Sequence, residues 1–203
     1  MASKTKLRAS LKRLMRQILP SEKHISILID LTGPLNKSAE YDRMAAVVGS
    51  TFLEYGLRKT IKQHFKSDSD DPEYNYLFLQ DDAPYRDFAS LNRLARALGI
   101  LSSSEYDQLE TIRHIRNVFA HAMDYELTFE SDGIRENVDS LAIAGDIGFD
   151  LLTELFSVTK EIASPFSGRR RIFVHSVFSY YWKFLAYHRA SGLALDFTSI
   201  IAE

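Results

Sequence analysis

The sequence predicts an all-α fold, a helical bundle of five to seven helices. Three observations carry that prediction. Apolar residues recur at three- and four-residue spacing in successive segments, the period that gives a helix one greasy face. Breakers such as "TGP", "SPFSG" and a proline-containing acidic stretch separate those segments. One segment opens with a capping-box pattern, Ser102 followed three residues later by Glu105. With 203 residues, 45% of them hydrophobic, the chain has enough apolar surface to bury a sizeable core.

The first element is a basic amphipathic helix. Leu7, Leu11, Leu14, Met15 and Ile18 share a helical spacing, and Pro20 stops the run. Lys4, Lys6, Arg8, Lys12, Arg13 and Arg16 fill the same stretch, with no acidic residue before Glu22. Such a charged face usually just meets water; the functional alternative is contact with nucleic acid through Lys12, Arg13 and Arg16. "HISILIDL" is apolar and short, so periodicity does not decide between strand and buried helix. These residues form a basic N-terminal extension, 1–37, and the helical domain spans 38–203.

A long helix follows over about 38–65, with Met44, Val47, Val48, Phe52, Leu53, Leu57 and Ile61 on its apolar side. Gly49 and Gly56 stand seven residues apart on nearly one face, which predicts a close approach by another helix. The acidic loop 67–83 is expected to be flexible or partner-dependent, with a short ordered piece at "YNYLFL". The next helix runs from Asp87 to Leu98 with Phe88, Leu91, Leu94, Ala95 and Leu98 inward, and Gly99 ends it. The capped helix from Ser102 reaches "RNVFAHAM", after which "DYELTFESDG" holds a brief extended piece. Helical patterns return at about 135–162 and 169–190. In the last of these, Ile172, Val174, Phe178, Trp182 and Leu185 are expected in the core, and Arg169, Arg170 and Arg171 at an exposed start. Basic residues at a helix N-terminus oppose its dipole, so that trio is a second candidate nucleic-acid contact.

Composition removes several chemistries. There is no cysteine, so disulfides, thiolate zinc sites and thiol catalysis are excluded. The net charge of −2 means that any affinity for nucleic acid must come from a local patch. No signal-peptide core and no membrane-length apolar run is present, which gives a cytoplasmic, membrane-independent expectation. There is no glycine-rich phosphate loop and no nucleophile elbow. No cofactor and no metal are expected.

The candidate site lies in "RHIRNVFAHA", residues 113–122. At about 100° per residue, Glu110, His114, Asn117 and His121 share one edge, bordered by Arg113, while Ile112, Ile115, Phe119 and Ala122 centre on the other. Arg116 lies about 140° around from His121, so it must extend outward or end in a well-paired site. Metal binding by Glu110, His114 and His121 is disfavoured, because two histidines seven apart lack the i, i+4 spacing that clamps one ion. Acid–base chemistry by His121 with anion binding by Arg116 would use the edge. So would a purely structural network in which Asn117 and His121 bond nearby backbone and Arg116 meets a carboxylate.

"RNVFAH" resembles the R-x4–6-H signature of HEPN-superfamily helical domains, and the wider stretch "FASLNRLARALGILSSSEYDQLETIRHIRNVFAHA" is similar to the mannitol-repressor-like (MltR) family. The likeness covers roughly residues 40–190. The HEPN resemblance implies a metal-independent, RNA-directed endoribonuclease of toxin or defence type, acting as a homodimer. His121 would then move protons, Arg116 would hold the scissile phosphate, and Asn117 would orient one of them. Glu110, Arg113 and His114 would support. A protein antitoxin would be a natural partner. The mannitol-repressor resemblance implies instead a non-catalytic transcriptional regulator working through protein partners. The nuclease is the leading expectation and the regulator its alternative; DNA ranks below RNA as a target, since no helix-turn-helix stands out.

Overall fold

The structure, a computed structural model, describes residues 39–65, 72–141 and 168–189. Among them are six helices and no strand: α1 (Ala39–Lys62), α2 (Pro72–Phe78), α3 (Phe88–Ala97), α4 (Ser103–His121), α5 (Arg135–Asp139) and α6 (Gly168–Arg189). The all-helical expectation is met. The basic segment 1–37 and the pattern at 142–162 fall outside the described residues, and with them Lys12, Arg13 and Arg16. None of the described helices is long and apolar enough to cross a membrane.

Helix α1 is the centre of the bundle and packs on α6, α4 and α3, while α3 packs on α4 and α5 bridges α4 and α6. The two glycines explain the closest of these contacts. Gly49 faces Val177 and Phe173, and Gly56 faces Tyr181 and Phe184, so α6 crosses α1 where side chains are missing. Phe52, Leu53, Leu57 and Ile61 are buried as their spacing requires, whereas Met44 is 43% exposed near the start of α1. On α6 burial extends well beyond one stripe: Phe173, Val177, Tyr180, Tyr181 and Phe184 join Val174, Phe178 and Trp182 in the core. A helix covered on several sides carries apolar residues nearly all round, so its sequence gives no single phase.

Local signals set the ends of α3 and α4. Asp87 caps α3 by accepting from the Ser90 amide at 2.8 Å. At the other end Gly99 takes φ +73°, and the Ile100 and Gly99 amides return to the carbonyls of Ala95 and Arg96, a Schellman closure. The turn leaves Leu98 38% exposed, not inward. The capping box at Ser102 and Glu105 forms, and Glu105 also pairs with Lys183 of α6. Burial would raise the Glu105 carboxyl, but Lys183 and the Ser102 amide outweigh it and hold it below the usual carboxylate range. "YNYLFL" lies largely within α2. The stretch after α4 is built of turns rather than an extended piece, with Phe129 driven inward between Phe119 and Phe173 at ring-centroid distances of 4.9 and 5.0 Å.

A buried ion pair fastens α6 to α1. Asp42 (2% exposed) bonds Arg170 (5% exposed) through one oxygen and accepts from the Phe129 amide at 3.0 Å through the other. Arg169 pairs with both Asp139 and Glu130. These acids answer the question raised by three arginines at a helix N-terminus: for Arg169 and Arg170 the unfavourable dipole is offset by Asp139 of α5, Glu130 of the turns before α5, and Asp42 of α1.

Candidate functional site: the Arg116 cleft

Helices α1, α3 and α4 and the segment 79–87 enclose an open cleft of about 560 Å³. Its construction begins with Arg58 on α1. This side chain donates to the carbonyls of Phe78 at 3.2 Å and Tyr85 at 3.3 Å, to the Arg86 carbonyl, and to Glu54 at 3.1 Å. Four carbonyl and carboxylate acceptors on one guanidinium fix the 79–87 segment against α1. Arg86 in turn bonds the side chain and carbonyl of Asp81. The result is a rigid wall opposite α4.

Helix α4 supplies Arg113, Arg116 and Asn117 to the cleft. Arg113 is already engaged: its Nε and Nη2 donate to one oxygen of Glu110 at 2.9 and 2.8 Å. The other Glu110 oxygen accepts from Asn92 at 2.8 Å, which ties α4 to α3. Asn92 is fully buried, donates to the Tyr106 carbonyl as well, and leaves its own Oδ1 without a partner among the described residues. Arg116 is partly buried and donates to Asn117 Oδ1 at 3.0 Å.

The predicted residues therefore divide. Arg116 and Asn117 stand together in the cleft, with Arg113 beside them. Glu110 and Arg113 form an internal pair. His114 is exposed on α4. His121, the last residue of α4, is exposed and does not line the cleft. Beyond it, Arg43 of α1 holds the chain by donating to the carbonyls of Ala122 at 3.1 Å and Asp124 at 2.7 Å. So one end of α4 carries a clamped turn, and the R-x4-H arginine faces elsewhere. Arg169 and Arg170 are committed to carboxylates, and Arg171 is partly buried, its guanidinium pulled below the usual arginine range by burial.

Sequence reasoning did not find Glu54, Asp81, Asp82, Arg86 or Asp87 as cleft residues. Asp81 and Asp82 lie in the acidic loop singled out as partner-dependent, and Asp87 at a helix start, but nothing in their spacing brings them opposite α4. Four carboxylates and three guanidiniums line the cleft, so it is a mixed-charge surface rather than a basic groove. Among the described residues no group of three His, Asp or Glu side chains is arranged to hold a metal ion.

Comparison with known proteins gives one informative match. No protein-family model matches the chain, and no curated protein matches it in sequence. The fold is similar to a chain in the X-ray structure of the MtlR-HPr complex from Escherichia coli, with 18% identity and a TM-score of 0.55 over 79% of this chain and 97% of that one. At that identity the match shows the fold, and it agrees with the mannitol-repressor-like side of the sequence resemblance.

Proposed function

We propose that this protein is a non-catalytic regulator of the mannitol-repressor type, acting through a protein partner. The observation that carries the reading is the separation of Arg116 from His121: the arginine sits in the cleft against Asn117, and the histidine is exposed at the helix end outside it. Phosphodiester cleavage by this pair needs both groups within hydrogen-bond reach of neighbouring atoms of one substrate. A single chain does not offer that. The carboxylates of Glu54, Asp81, Asp82 and Asp87 also make the cleft a poor bed for a polyanion. The structural neighbour, a protein captured in complex with a second protein, supports the same reading.

The endoribonuclease reading keeps one supporting feature, the accessibility of His121, and it requires a homodimer that brings His121 of one copy to Arg116 of the other. One experiment separates the two. Full-length wild type, His121→Ala and Arg116→Ala are incubated with RNA in EDTA, and in parallel photo-crosslinked in cells to identify a partner that is then purified and recombined. The regulator reading expects no cleavage above buffer and a stoichiometric complex with the purified partner. Cleavage that disappears in a folded His121→Ala variant refutes it.

A further inference from the structure

The cleft also specifies what a partner should present to it, an inference that rests on the protein-partner reading. We propose that the Arg116 cleft receives a carboxylate side chain, Glu or Asp, from the surface of that partner. Almost every other charge in the cleft is already matched from within. Arg113 is bound to Glu110, Arg86 to Asp81, and Glu54 to Arg58, while Asp87 caps α3. Arg116 is different. Among the described residues its one bond is to the neutral amide oxygen of Asn117, which occupies one of five N–H donors, and no carboxylate of them pairs with it.

A partly buried guanidinium to which no carboxylate of the described residues is bonded keeps free donors for an incoming anion. Asp82 carries the opposite uncommitted charge, but it is exposed, where water and salt screen it. The first turn of α3, Phe88 and Ala89, opens onto the same cleft, but its positive dipole end is already answered by the Asp87 cap, so Arg116 is the group left for an anion. Ala83 and Phe88 give an apolar lining for the methylenes of a glutamate. The planar fork of arginine fits a carboxylate through two parallel hydrogen bonds. A nucleic acid would bring a run of phosphates against Asp81 and Asp82, whereas a protein surface brings a single carboxylate.

The test uses the full-length protein with its arginine side chains isotopically labelled, and follows the Arg116 Nε–H signal by NMR. Arg93, exposed on α3, is the internal control. The probes are N-acetylglutamate amide, N-acetylglutamine amide and inorganic phosphate. Expected is a saturable shift of Arg116 with the glutamate probe, at least about tenfold weaker with the glutamine probe, and no comparable shift of Arg93. Arg116→Gln should abolish the site, and Arg116→Lys, which keeps the charge and loses the fork, should retain a weakened one. Equal movement of Arg93 and Arg116, no saturation, or tighter binding of phosphate overturns the proposal.

With the purified partner, Arg116→Gln should weaken the complex at least about tenfold. A complex indifferent to Arg116 overturns this inference and leaves the regulator reading standing. A saturating glutamate probe with no protein partner overturns the regulator reading, and with it the protein source of the carboxylate.

Discussion

Asp42 is the position where a single substitution should cost most. Its carboxylate is buried, holds the buried Arg170 guanidinium with one oxygen and caps the Phe129 amide with the other, so three segments distant in sequence meet on two atoms. Asp42→Ala removes both bonds and leaves a buried cation without this counter-charge. Breaking a buried pair from one side costs about 3–5 kcal/mol, and an orphaned buried amide about 1–3 kcal/mol. The two overlap at one site, so we expect about 4 kcal/mol, a large part of the roughly 5–15 kcal/mol that holds a domain folded. For a chain of this size that lowers the midpoint by roughly 8–16 °C. Asp42→Asn keeps one oxygen for the Phe129 amide and should cost less. The measurement is urea and thermal unfolding of Asp42→Ala, Arg170→Met and the double variant. A coupling energy of at least about 2 kcal/mol is expected, because removing both charges relieves the burial penalty. A cost below about 1 kcal/mol, or strict additivity, would refute the reasoning.

Three further predictions test other parts of the structure. Gly56→Ala should lower the unfolding midpoint by about 2–6 °C, since its Cβ would lie 3.0 Å from the buried Tyr181 ring, while Gly49→Ala, with its nearest neighbour at 3.4 Å, should be neutral or raise the midpoint. Burial, aided by the nearby Arg171 charge, pushes the His175 imidazole down to about 4 from the usual 6.5. The folded protein then binds fewer protons than the unfolded chain, so this contribution to stability is complete above about pH 6.5 and is lost as pH falls towards 4. His175→Gln should flatten that part of a pH–stability curve, and an unchanged curve would remove His175 as its source. If residues 4–16 supply an electrostatic grip on nucleic acid, replacing Lys12, Arg13 and Arg16 should flatten the salt dependence of RNA and DNA binding; absence of binding even at low salt ends both nucleic-acid roles for them.

Helix ends were legible because their chemistry is local. Gly99, and Ser102 with Glu105, act on their own helix within a few residues, and spacing alone identifies them. The glycine pair was legible too, because two missing side chains on one face of α1 have few other uses. What escaped depends on neighbours far along the chain. Asp42 reads as an ordinary first-turn acid until Arg170, 128 residues away, folds onto it. Arg169–Arg171 read as an exposed cluster because the answering Asp139 and Glu130 are close only in space. Asn92 sits one residue from Leu91 in a short amphipathic helix, and its burial follows from where Glu110 places α4. The cleft is the extreme case: three helices and a loop meet there, and no periodicity in any one of them records the other walls.

The R-x4-H spacing shows how a helix limits what a short motif can do. Five residues turn the chain by about 140°, so an arginine and a histidine at that spacing look towards different neighbours whenever the helix is straight. Here Arg116 looks at the wall held by Arg58, and His121 lies at the end where Arg43 clamps the following turn. A second molecule is therefore needed for either role. If it is another copy, its His121 must enter a cleft already lined by Asp81, Asp82 and Glu54, where a histidinium is welcome but a phosphate between them is not. If it is a different protein, it needs only to deliver one carboxylate to Arg116, the one cleft guanidinium that no carboxylate of the described residues pairs with. The second arrangement brings one negative charge to Arg116 rather than a run of phosphates, so the repulsion from the four cleft acids is met once and the two parallel hydrogen bonds of the guanidinium can outweigh it.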